Sequence, residues 1–427
     1  MHNSINVWFI NPYSNLPSDG WRLTRSSLLV QTLAEAGFTV TWYTTLFDHI
    51  RKEFRTPSSQ TIEECGVTYH FVETCGYREN ISLARLLSEA IFAIRLTRIG
   101  WSATSRPNII VASHATLLSG VTAAILAKRH RVPLILDIAD LWPEFFQLAF
   151  PSKLRKLARI FMSPLYWLRS LIFRQADAVT ASARINLMVA EKIAKNAPRD
   201  KCLLIYEGID IEMALQEGSP TDIQLTSFQI NPITVTAVRI VYAGSLGSGY
   251  DIQTIIGAAA ILEQRKARAQ IVIAGDGSWR SYVEDSVRSI PGDYILYVGR
   301  ITPPELHRLY QESHVGLCAY VRDSTVAIPC KFYDYLAEGL AIVSSLRGEL
   351  ADLIAEKQLG CQYEAGSAES LADTICRIAG DRTLLDRYRQ NAKLAAAQFD
   401  RKIQYGKLVG LVRDILAETK KSTDNPQ

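Results

Sequence analysis

The chain has 427 residues, of which 48% are hydrophobic and 21% are charged, so it is a globular protein too long for one ordinary hydrophobic core. Its seven cysteines are an odd number with no Cys-x-x-Cys pair; this argues against a disulfide framework and a structural zinc site, and favours a reduced, cytosolic compartment. The net charge of +4 is uneven, because residues 1–210 have 24 Lys and Arg against 17 Asp and Glu whereas residues 211–427 have 23 against 26, so the first half is expected to meet an anionic partner.

Short apolar or β-branched runs alternate with longer amphipathic runs along the chain, which is the pattern of parallel sheets covered by helices on both faces. The predicted fold class is therefore α/β. In the first half we predict a helix over about 23–36, ended by Gly37, and strands near residues 5–10, 39–43, 67–72, 109–112, 134–138, 178–181 and 202–205. The run at 5–10 leads straight into an Asn-Pro turn, so we interpret it as a buried strand rather than a signal peptide. No uninterrupted run of 18 apolar residues is present, which argues against a membrane-spanning helix.

The densest basic stretch, residues 151–174, contains no acidic residue, and aromatic and leucine side chains are interleaved with its cations. A basic helix with aromatic residues is typical of a membrane-surface element, and residues 85–101 form a second such segment. The alternative is a solvated helix that packs its apolar side on its own domain. The side chains predicted to contact a membrane or an acceptor are those of Lys153, Arg155, Lys156, Arg159 and Trp167.

Residues 211–238 have no clear periodicity and contain Gly218, Pro220 and Pro232, so they are predicted to be a linker. A second set of strands follows near residues 239–243, 270–274, 295–298, 315–319 and 341–343. The sequence Thr302-Pro-Pro-Glu305 has capping-box spacing and predicts the start of a helix that reaches Ser313. We therefore predict two α/β domains, 1–210 and 239–398, with a cleft between them, and a C-terminal segment, 399–427, whose helix crosses back to the first domain before a disordered tail. Ligands of such sheets bind beyond the carboxyl ends of the strands.

Three strand ends in the second domain are marked by glycine. The first opens a loop with Ser245, Gly247 and Gly249, where backbone N–H groups could approach a phosphate. Alone this signal is weak, because the loop lacks the spacing of a dinucleotide site or a P-loop and could be a plain tight turn. The next two strands end at Gly275-Asp-Gly277 and at Gly299-Arg300-Ile301, and we expect Arg300 to reach the same site, although an arginine after a strand is usually a surface charge.

The stretch from Ile328 to Ser345 places Lys331 and Asp334 one helical turn apart at a helix start. Pro329 is suited to the first turn and Gly339 to the left-handed end of the helix. A helix N-terminus with a lysine favours a phosphate, and a nearby carboxylate favours a diol such as ribose. The stretch therefore predicts a nucleotide site.

In the first domain, Asp140 follows the strand at 134–138 and could accept or orient a hydroxyl. The alternative is that it caps a helix starting near Pro143. His114, after the strand at 109–112, is a second catalytic candidate, although a lone histidine at a strand end is more often structural. Gly20, together with Arg22, could bring backbone close to a phosphate from the opposite side.

In their order and spacing, these motifs resemble retaining GT-B glycosyltransferases of family four, particularly bacterial members that build surface polysaccharides. The resemblance covers almost the whole chain and is carried by the segments Asp140–Glu144, Tyr242–Gly247, Gly275–Gly277, Val298–Arg300 and Pro329–Tyr335. It implies two Rossmann-like domains with parallel sheets facing a central cleft. It also implies a UDP- or GDP-linked sugar donor bound mainly by the C-terminal domain, an acceptor bound mainly by the N-terminal domain, and catalysis without a metal or other cofactor.

The resemblance further implies that Asp334 holds the ribose diol, that Arg300 and Lys331 neutralise the diphosphate, and that Arg300–Ile301 lies beside the base. Two departures from the family pattern stand out. The first glutamate of the family, eight residues before the second, is Val326 here, and the glycine-rich loop has Ser248-Gly249 in place of its usual lysine. The first departure leaves the contact to the donor sugar unassigned, and the second shifts the phosphate charge onto Lys331 and Arg300.

The leading hypothesis is a glycosyltransferase that adds a sugar, with retention of configuration, to a lipid-linked glycan acceptor during O-antigen, capsule or exopolysaccharide assembly. It would work in the cytoplasm, peripherally bound to the inner face of the cytoplasmic membrane, without a nucleic-acid partner. A nucleotide-sugar epimerase of the same fold would need the nucleotide site but not the basic aromatic segment. A catalytically silent partner of another transferase is the third possibility, suggested by Val326.

Overall fold

The structure is a computed structural model that describes residues 5–20, 23–57, 59–80, 82–113, 116–144, 154–211 and 238–424. For residues 155, 156 and 422–424 it describes the backbone alone. The chain divides into two compact units, the first formed by residues 1–206 with 404–427 and the second by residues 207–403. The predicted linker, 211–238, lies outside the described residues except for its two end positions.

The first unit is built on a mostly parallel sheet. Its described strands are β1 (Asn6–Ile10), β2 (Thr39–Thr45), β3 (Phe47–Asp48), β4 (Glu53–Phe54), β5 (Thr61–Glu64), β6 (Val67–Val72), β7 (Ile109–Ser113), β8 (Leu134–Ile138), β9 (Ala178–Ala181) and β10 (Cys202–Leu204). Eight of them form one sheet in the order β10-β9-β8-β7-β1-β2-β6-β5, in which only β5 runs antiparallel to its neighbour, and β3 pairs with β4 in a small separate hairpin. Its described helices are α1 (Arg25–Glu35), α2 (Leu83–Trp101), α3 (Leu117–His130), α4 (Arg155–Phe161), α5 (Ser163–Phe173) and α6 (Arg184–Ile193).

The second unit contains a parallel sheet with the order β13-β12-β11-β14-β15-β16 in the described residues. Its strands are β11 (Val238–Ala243), β12 (Ala269–Ala274), β13 (Ile295–Gly299), β14 (Val315–Cys318), β15 (Ala341–Ser344) and β16 (Gly360–Gln362). Its described helices are α7 (Ile252–Gln264), α8 (Arg280–Ser289), α9 (Pro303–Gln311), α10 (Cys330–Ala337), α11 (Glu349–Glu356), α12 (Ala368–Gly380) and α13 (Arg382–Ala396). The predicted capping box is present, since Glu305 accepts from the backbone N–H of Thr302 at 2.7 Å.

The C-terminal helix, α14 (Arg401–Asp424), carries the chain into the core of the first unit. Tyr405, Leu408 and Val412 are buried there together with residues of β1 and β2. The boundary between the units therefore falls at 206–207 and again at 403–404, a few residues from the predicted positions.

Central strands of both sheets are buried along their whole length, as in β7, β8, β11 and β12. This is why they read as continuous apolar runs rather than as alternating ones. The predicted α/β class is confirmed, and all twelve predicted strands are present within two residues of their predicted ends. The sequence did not predict β3, β4, β5 or β16, which are two to four residues long.

A buried ion pair joins α1 to the central strand β8. Arg25 donates from Nε to Asp137 Oδ2 at 3.1 Å and from Nη2 to Oδ1 at 2.8 Å, and both side chains are almost fully shielded from water. Thr180 donates a third bond to Asp137 at 2.6 Å, and Arg25 donates to the carbonyl of Ile205 at 2.6 Å. The pair thus links β8, β9 and the chain after β10 to α1. A charge buried at this depth is tolerated only when it is paired and hydrogen-bonded.

Candidate nucleotide-sugar site

The three glycine-marked strand ends of the second unit are hydrogen-bonded to one another at the carboxyl edge of the sheet. The backbone N–H of Gly275 donates to the carbonyl of Gly299 at 2.7 Å, and that of Gly244 donates to Ala274 at 3.0 Å. Leu246 then donates to the carbonyl of Asp276 at 2.9 Å. The turns after β11, β12 and β13 are therefore one continuous backbone surface, which we call the glycine edge.

Two of these glycines are required by the close approach of the turns to each other. Gly275 has φ +147°, and a Cβ there would lie 1.8 Å from the carbonyl oxygen of Gly244. A Cβ at Gly277, with φ +155°, would lie 2.5 Å from that of Leu246. No other residue fits without moving the backbone.

The predicted donor residues on the glycine edge differ in exposure. Ser245 and Gly249 are exposed, and Gly247 is half-buried. Arg300 follows Gly299 and is exposed, and Ile301 is half-buried. That these five residues bind the sugar donor stays a prediction.

Helix α10 presents Lys331 and Asp334 next to this edge. Pro329 has an extended conformation and is the N-cap residue, so the helix begins at Cys330 rather than at the proline as the sequence suggested. Pro329 can occupy the cap because its missing N–H lies outside the helical hydrogen bonds. Lys331 is then in the first turn and buried, whereas Asp334, one turn later, is half-buried.

The Lys331 ammonium is enclosed by aromatic rings. Its Nζ lies 4.0 Å from the ring centre of Tyr242, 5.1 Å from that of Tyr250 and 5.5 Å from that of Tyr320. Nζ has no hydrogen-bond partner in the described structure, and 9% of the residue is exposed. Burial lowers the pKa of Lys331 to about 8, against the opposing effect of nearby Cys318, Asp334 and Cys330.

In the first unit, Asp140 lies in the turn after β8. Its side chain reaches solvent, yet desolvation by the surrounding protein raises the pKa of its carboxyl. Gly20 is exposed and ends a short 3-10 turn over Pro17–Asp19 in the left-handed conformation. The other two predicted residues, His114 and Arg22, lie outside the described residues, as does the helix that Asp140 was considered to cap, apart from Glu144.

A cluster of polar and aromatic side chains that the sequence analysis did not single out lies beside Trp142. Tyr13 donates to Glu89 at 2.5 Å, and Arg85 donates to the Tyr13 hydroxyl at 2.9 Å and to Glu89 at 3.0 Å. The Arg85 guanidinium lies 5.1 Å from the ring centre of Tyr13 and 5.3 Å from that of Trp142. Tyr13 follows β1 and Trp142 follows β8, so the cluster lies at the carboxyl edge of the first sheet.

His49 extends this cluster toward the hairpin of β3 and β4. Its ring lies 4.5 Å from that of Tyr13, and its Nδ1 is 2.5 Å from the Tyr77 hydroxyl. Burial, together with the charges of Lys52 and Arg85, lowers the pKa of His49 to about 4, so its ring is neutral near pH 7. A sequence signal existed for part of the cluster, because Arg85 and Glu89 are four residues apart on α2.

From residue 154 on, where the structure describes it, the predicted basic helix over 151–174 is instead two helices. It breaks between α4 and α5 at Met162, and α5 begins at Ser163 with Pro164 in its first turn. Arg169 is buried and donates to Glu144 at 2.6 Å, so its charge is neutralised inside the unit. Lys153 lies outside the described residues, and the Arg155 and Lys156 side chains are not described.

An apolar surface nevertheless remains on these helices. The exposed fraction is 78% for Phe161 and 65% for Trp167, and Ile160, Leu157 and Arg159 are exposed as well. Helix α2 contains the second predicted basic segment, but Arg85 is buried there and is not available to a membrane surface. Four apolar side chains of the same helix are exposed, namely Leu83, Leu87, Ile94 and Trp101. In the described part of the chain, every helix is either too short or too polar to cross a membrane.

Comparison with known families and structures agrees with this arrangement. Residues 24–208 match the glycosyl transferase 4-like domain, and residues 237–381 match the domain described as glycosyl transferases group 1. An uncharacterized glycosyltransferase of Methanocaldococcus jannaschii is 25% identical over 205 residues, 46% of this chain. The alignment spans about half the length of that relative, 50%.

Solved structures share the fold over nearly the whole chain. Sucrose-phosphate synthase of Thermosynechococcus elongatus has a TM-score of 0.67 at 18% identity, with 97% of this chain and 100% of that one covered. The Anabaena protein HepE, solved in complex with UDP and glucose, has a TM-score of 0.62 at 14% identity, with 96% and 99% covered. The two α/β units with parallel sheets thus have the GT-B fold, as predicted. The first unit thus matches a glycosyl transferase 4-like domain and the second a glycosyl transferases group 1 domain, and the two matches together support a glycosyltransferase.

Proposed function

We propose that the protein transfers a sugar from a UDP- or GDP-linked donor to a lipid-linked glycan acceptor, with retention of configuration, during the assembly of a surface polysaccharide. The single observation that carries the proposal is a buried lysine ammonium without a hydrogen-bond partner, placed beside the glycine edge at a helix start. The HepE complex with UDP and glucose supports a nucleotide-sugar donor for this fold.

In this proposal the second unit binds the donor. Lys331 and the N-terminus of α10 take the charge of the diphosphate, and Arg300 adds a second cation. Asp334 accepts hydrogen bonds from the ribose hydroxyls, for which a carboxylate has the required acceptors. As the donor bond breaks, negative charge grows on the leaving diphosphate, so these groups stabilise the transition state more than the bound substrate.

The acceptor is bound by the first unit, where Asp140 orients its hydroxyl. Retention is consistent with a front-face displacement, in which the leaving phosphate takes the proton of the attacking hydroxyl. Desolvation raises the pKa of the Asp140 carboxyl, which makes its carboxylate a stronger hydrogen-bond acceptor for that hydroxyl. The anomeric configuration of the product, measured by NMR on a short acceptor, tests retention.

We expect Asp334→Ala to weaken binding of the cognate nucleoside diphosphate about 10- to 100-fold, because two ribose hydroxyls lose a charged acceptor. Calorimetry with UDP and GDP on the wild type and the variant measures this. Asp334→Glu, which keeps the carboxylate, should stay within about tenfold of the wild type.

The 2′,3′-dideoxy form of the diphosphate provides the control, because it lacks both hydroxyls. It should bind the wild type and Asp334→Ala equally well. Unchanged binding of the normal diphosphate by Asp334→Ala would remove the ribose role, and a wild type that binds neither UDP nor GDP would contradict the donor site itself.

Membrane attachment is proposed through the exposed surface of α4 and α5. The triple variant Arg159→Glu, Phe161→Ser and Trp167→Ser reverses one charge and removes two apolar side chains from this surface. We expect it to bind anionic vesicles at least about 30-fold more weakly, because it buries less apolar surface in the membrane and is attracted less to anionic lipids. Vesicle co-sedimentation at two salt concentrations measures it.

The matched control is Arg280→Glu with Arg288→Glu on α8, two exposed arginines of the second unit. This pair changes net charge more than the test variant, so vesicle binding that falls equally in both would point to overall charge instead of the α4–α5 surface. UDP or GDP affinity should be unchanged in the test variant.

A further inference from the structure

The ammonium of Lys331 is in an unusual state for a buried charge. Its three N–H donors make no hydrogen bond within the described residues, and only 9% of the residue is exposed. Isolated buried ammonium groups are strongly disfavoured unless another group compensates for the lost water. The groups found around Nζ are the faces of three tyrosine rings, which attract a cation through their quadrupoles.

The three rings come from three separate segments that the fold fixes in place. Tyr242 is the penultimate residue of β11, and its hydroxyl donates to the carbonyl of Ser245 at 2.7 Å. Tyr250 and Tyr320 pair through a backbone bridge, and their rings lie 5.1 Å apart. The amide of Tyr320 is fixed by a 2.8 Å bond to Ser345. We call these three side chains the tyrosine box.

The box is completed by a residue without a side chain. A Cβ on Gly244, whose φ is +150°, would lie 2.8 Å from Nζ of Lys331. The glycine therefore leaves Nζ next to the backbone of the glycine edge, which is the side from which a phosphate oxygen could reach it. The tyrosine faces offer no strong hydrogen-bond acceptor to the ammonium, so its donors remain available to such an oxygen.

We propose that Tyr242, Tyr250 and Tyr320 are positioning residues, which hold the Lys331 ammonium beside Gly244 so that an incoming diphosphate supplies its first hydrogen-bond acceptors. This inference rests on the proposed function for the identity of the ligand. The rings orient the ammonium without forming a competing salt bridge, so the ligand need not break one. Preorganisation of this kind strengthens binding by lowering the cost of ordering the side chain.

The test compares Tyr320→Leu with Tyr320→Phe, and Tyr250→Leu with Tyr250→Phe, because phenylalanine keeps the ring and leucine removes it. We expect each leucine variant to bind UDP or GDP about 3- to 30-fold more weakly than its phenylalanine counterpart. Binding of uridine or guanosine, which have no phosphate, should be equal in all four. Tyr282→Leu on α8, outside the box, is the matched control and should bind like the wild type.

A second readout needs no nucleotide: the acylation rate of Lys331 by a water-soluble amine reagent, followed by peptide mass spectrometry. The leucine variants should label faster than the phenylalanine variants, since the ammonium is less shielded.

Equal UDP or GDP affinity within each Leu/Phe pair would overturn the proposal. If the wild type binds neither nucleotide, the proposed function fails, and equal labelling rates within the pairs would then overturn the box as well. If Tyr320→Leu does not fold because Tyr320 is buried, the Tyr250 pair still provides the test, since Tyr250 is partly exposed.

Discussion

Lys331→Met is expected to lower the affinity for the cognate nucleoside diphosphate about 100-fold and the turnover of the donor about 100- to 1,000-fold. The first effect is the loss of charge-assisted hydrogen bonds to phosphate. The second effect is larger because the variant also loses the stabilisation of the charge that develops on the leaving group.

Without ligand, Lys331→Met should be more stable than the wild type. Because the pKa of Lys331 falls from 10.5 to about 8 on folding, the ammonium costs the folded state roughly 3 kcal/mol.

The sign of the pH dependence follows from that depressed pKa. Below pH 8 both folded and unfolded chains hold the proton, so the full cost is present; above it the folded state releases the proton first, and the cost fades up to pH 10.5. The stability gain of Lys331→Met should therefore shrink between pH 8 and 10.5. Over this pH range the wild type becomes more stable but should bind the diphosphate more weakly, because binding needs the protonated amine and the folded state loses that proton above about pH 8.

Calorimetry and thermal unfolding across this pH range measure both effects. Lys357→Met is the matched control, since Lys357 lies in the same unit and its Nζ bonds the side chain of Gln398 at 2.6 Å. It should leave nucleotide affinity unchanged. A Lys331→Met protein that binds UDP or GDP like the wild type would remove the lysine from the donor site.

Asp137→Ala is expected to reduce the free energy of unfolding of the first unit by about 3–5 kcal/mol, because it leaves the Arg25 guanidinium buried without its carboxylate. The melting temperature of that unit should fall by roughly 6–20 °C. The double variant Arg25→Met with Asp137→Leu should recover most of the loss, since it removes both charges.

The surface pair Arg95–Glu73 supplies the comparison, with exposed fractions of 48% and 70% for the two side chains. Glu73→Ala should cost no more than about 1 kcal/mol. Calorimetric unfolding that resolves the two units, supported by hydrogen exchange in β8, measures each effect. A double variant as unstable as Asp137→Ala would show that the packing of these side chains, rather than their charge, holds α1 to the sheet.

The sheet strands could be predicted because buried parallel strands are apolar throughout, so 67–72, 134–138 and 178–181 were predicted with their observed bounds. The two-residue strands β3 and β4 carry no such pattern, and their pairing depends on contacts of Phe47 with Phe54 and Tyr77. Single sequences do not display those contacts.

In the candidate site, too, the local patterns could be predicted from the sequence and the contacts between separate segments could not. The helix start with Lys331 and Asp334 is a local pattern, and so are the glycines after three strands. The tyrosine box is not local, since its rings come from positions 242, 250 and 320. Asp137 was visible as a carboxylate inside an apolar strand, which demands a partner, but nothing in its spacing identifies Arg25, 112 residues away.

Counting the basic residues of a sequence segment did not predict which of them are exposed on the protein surface. Arg169 and Arg85 were predicted to contribute to basic membrane segments, yet each is buried against a glutamate. Glu144 lies outside the segment that was counted, so the sequence window hid the neutralising partner of Arg169. The break at Met162 did have a signal in Ser163-Pro164, a common helix start.

The glycine edge limits how the proposed donor site could be engineered. Since Gly275 and Gly277 touch the backbone of the turn after β11, and the turn after β13 bonds to the one after β12, no single turn can be exchanged alone. A turn grafted from a protein of the same fold would follow a different backbone path and collide with each turn that it contacts here. Chimaeras should be cut so that residues 242–301 move as a block, with the side chains on that block varied afterwards.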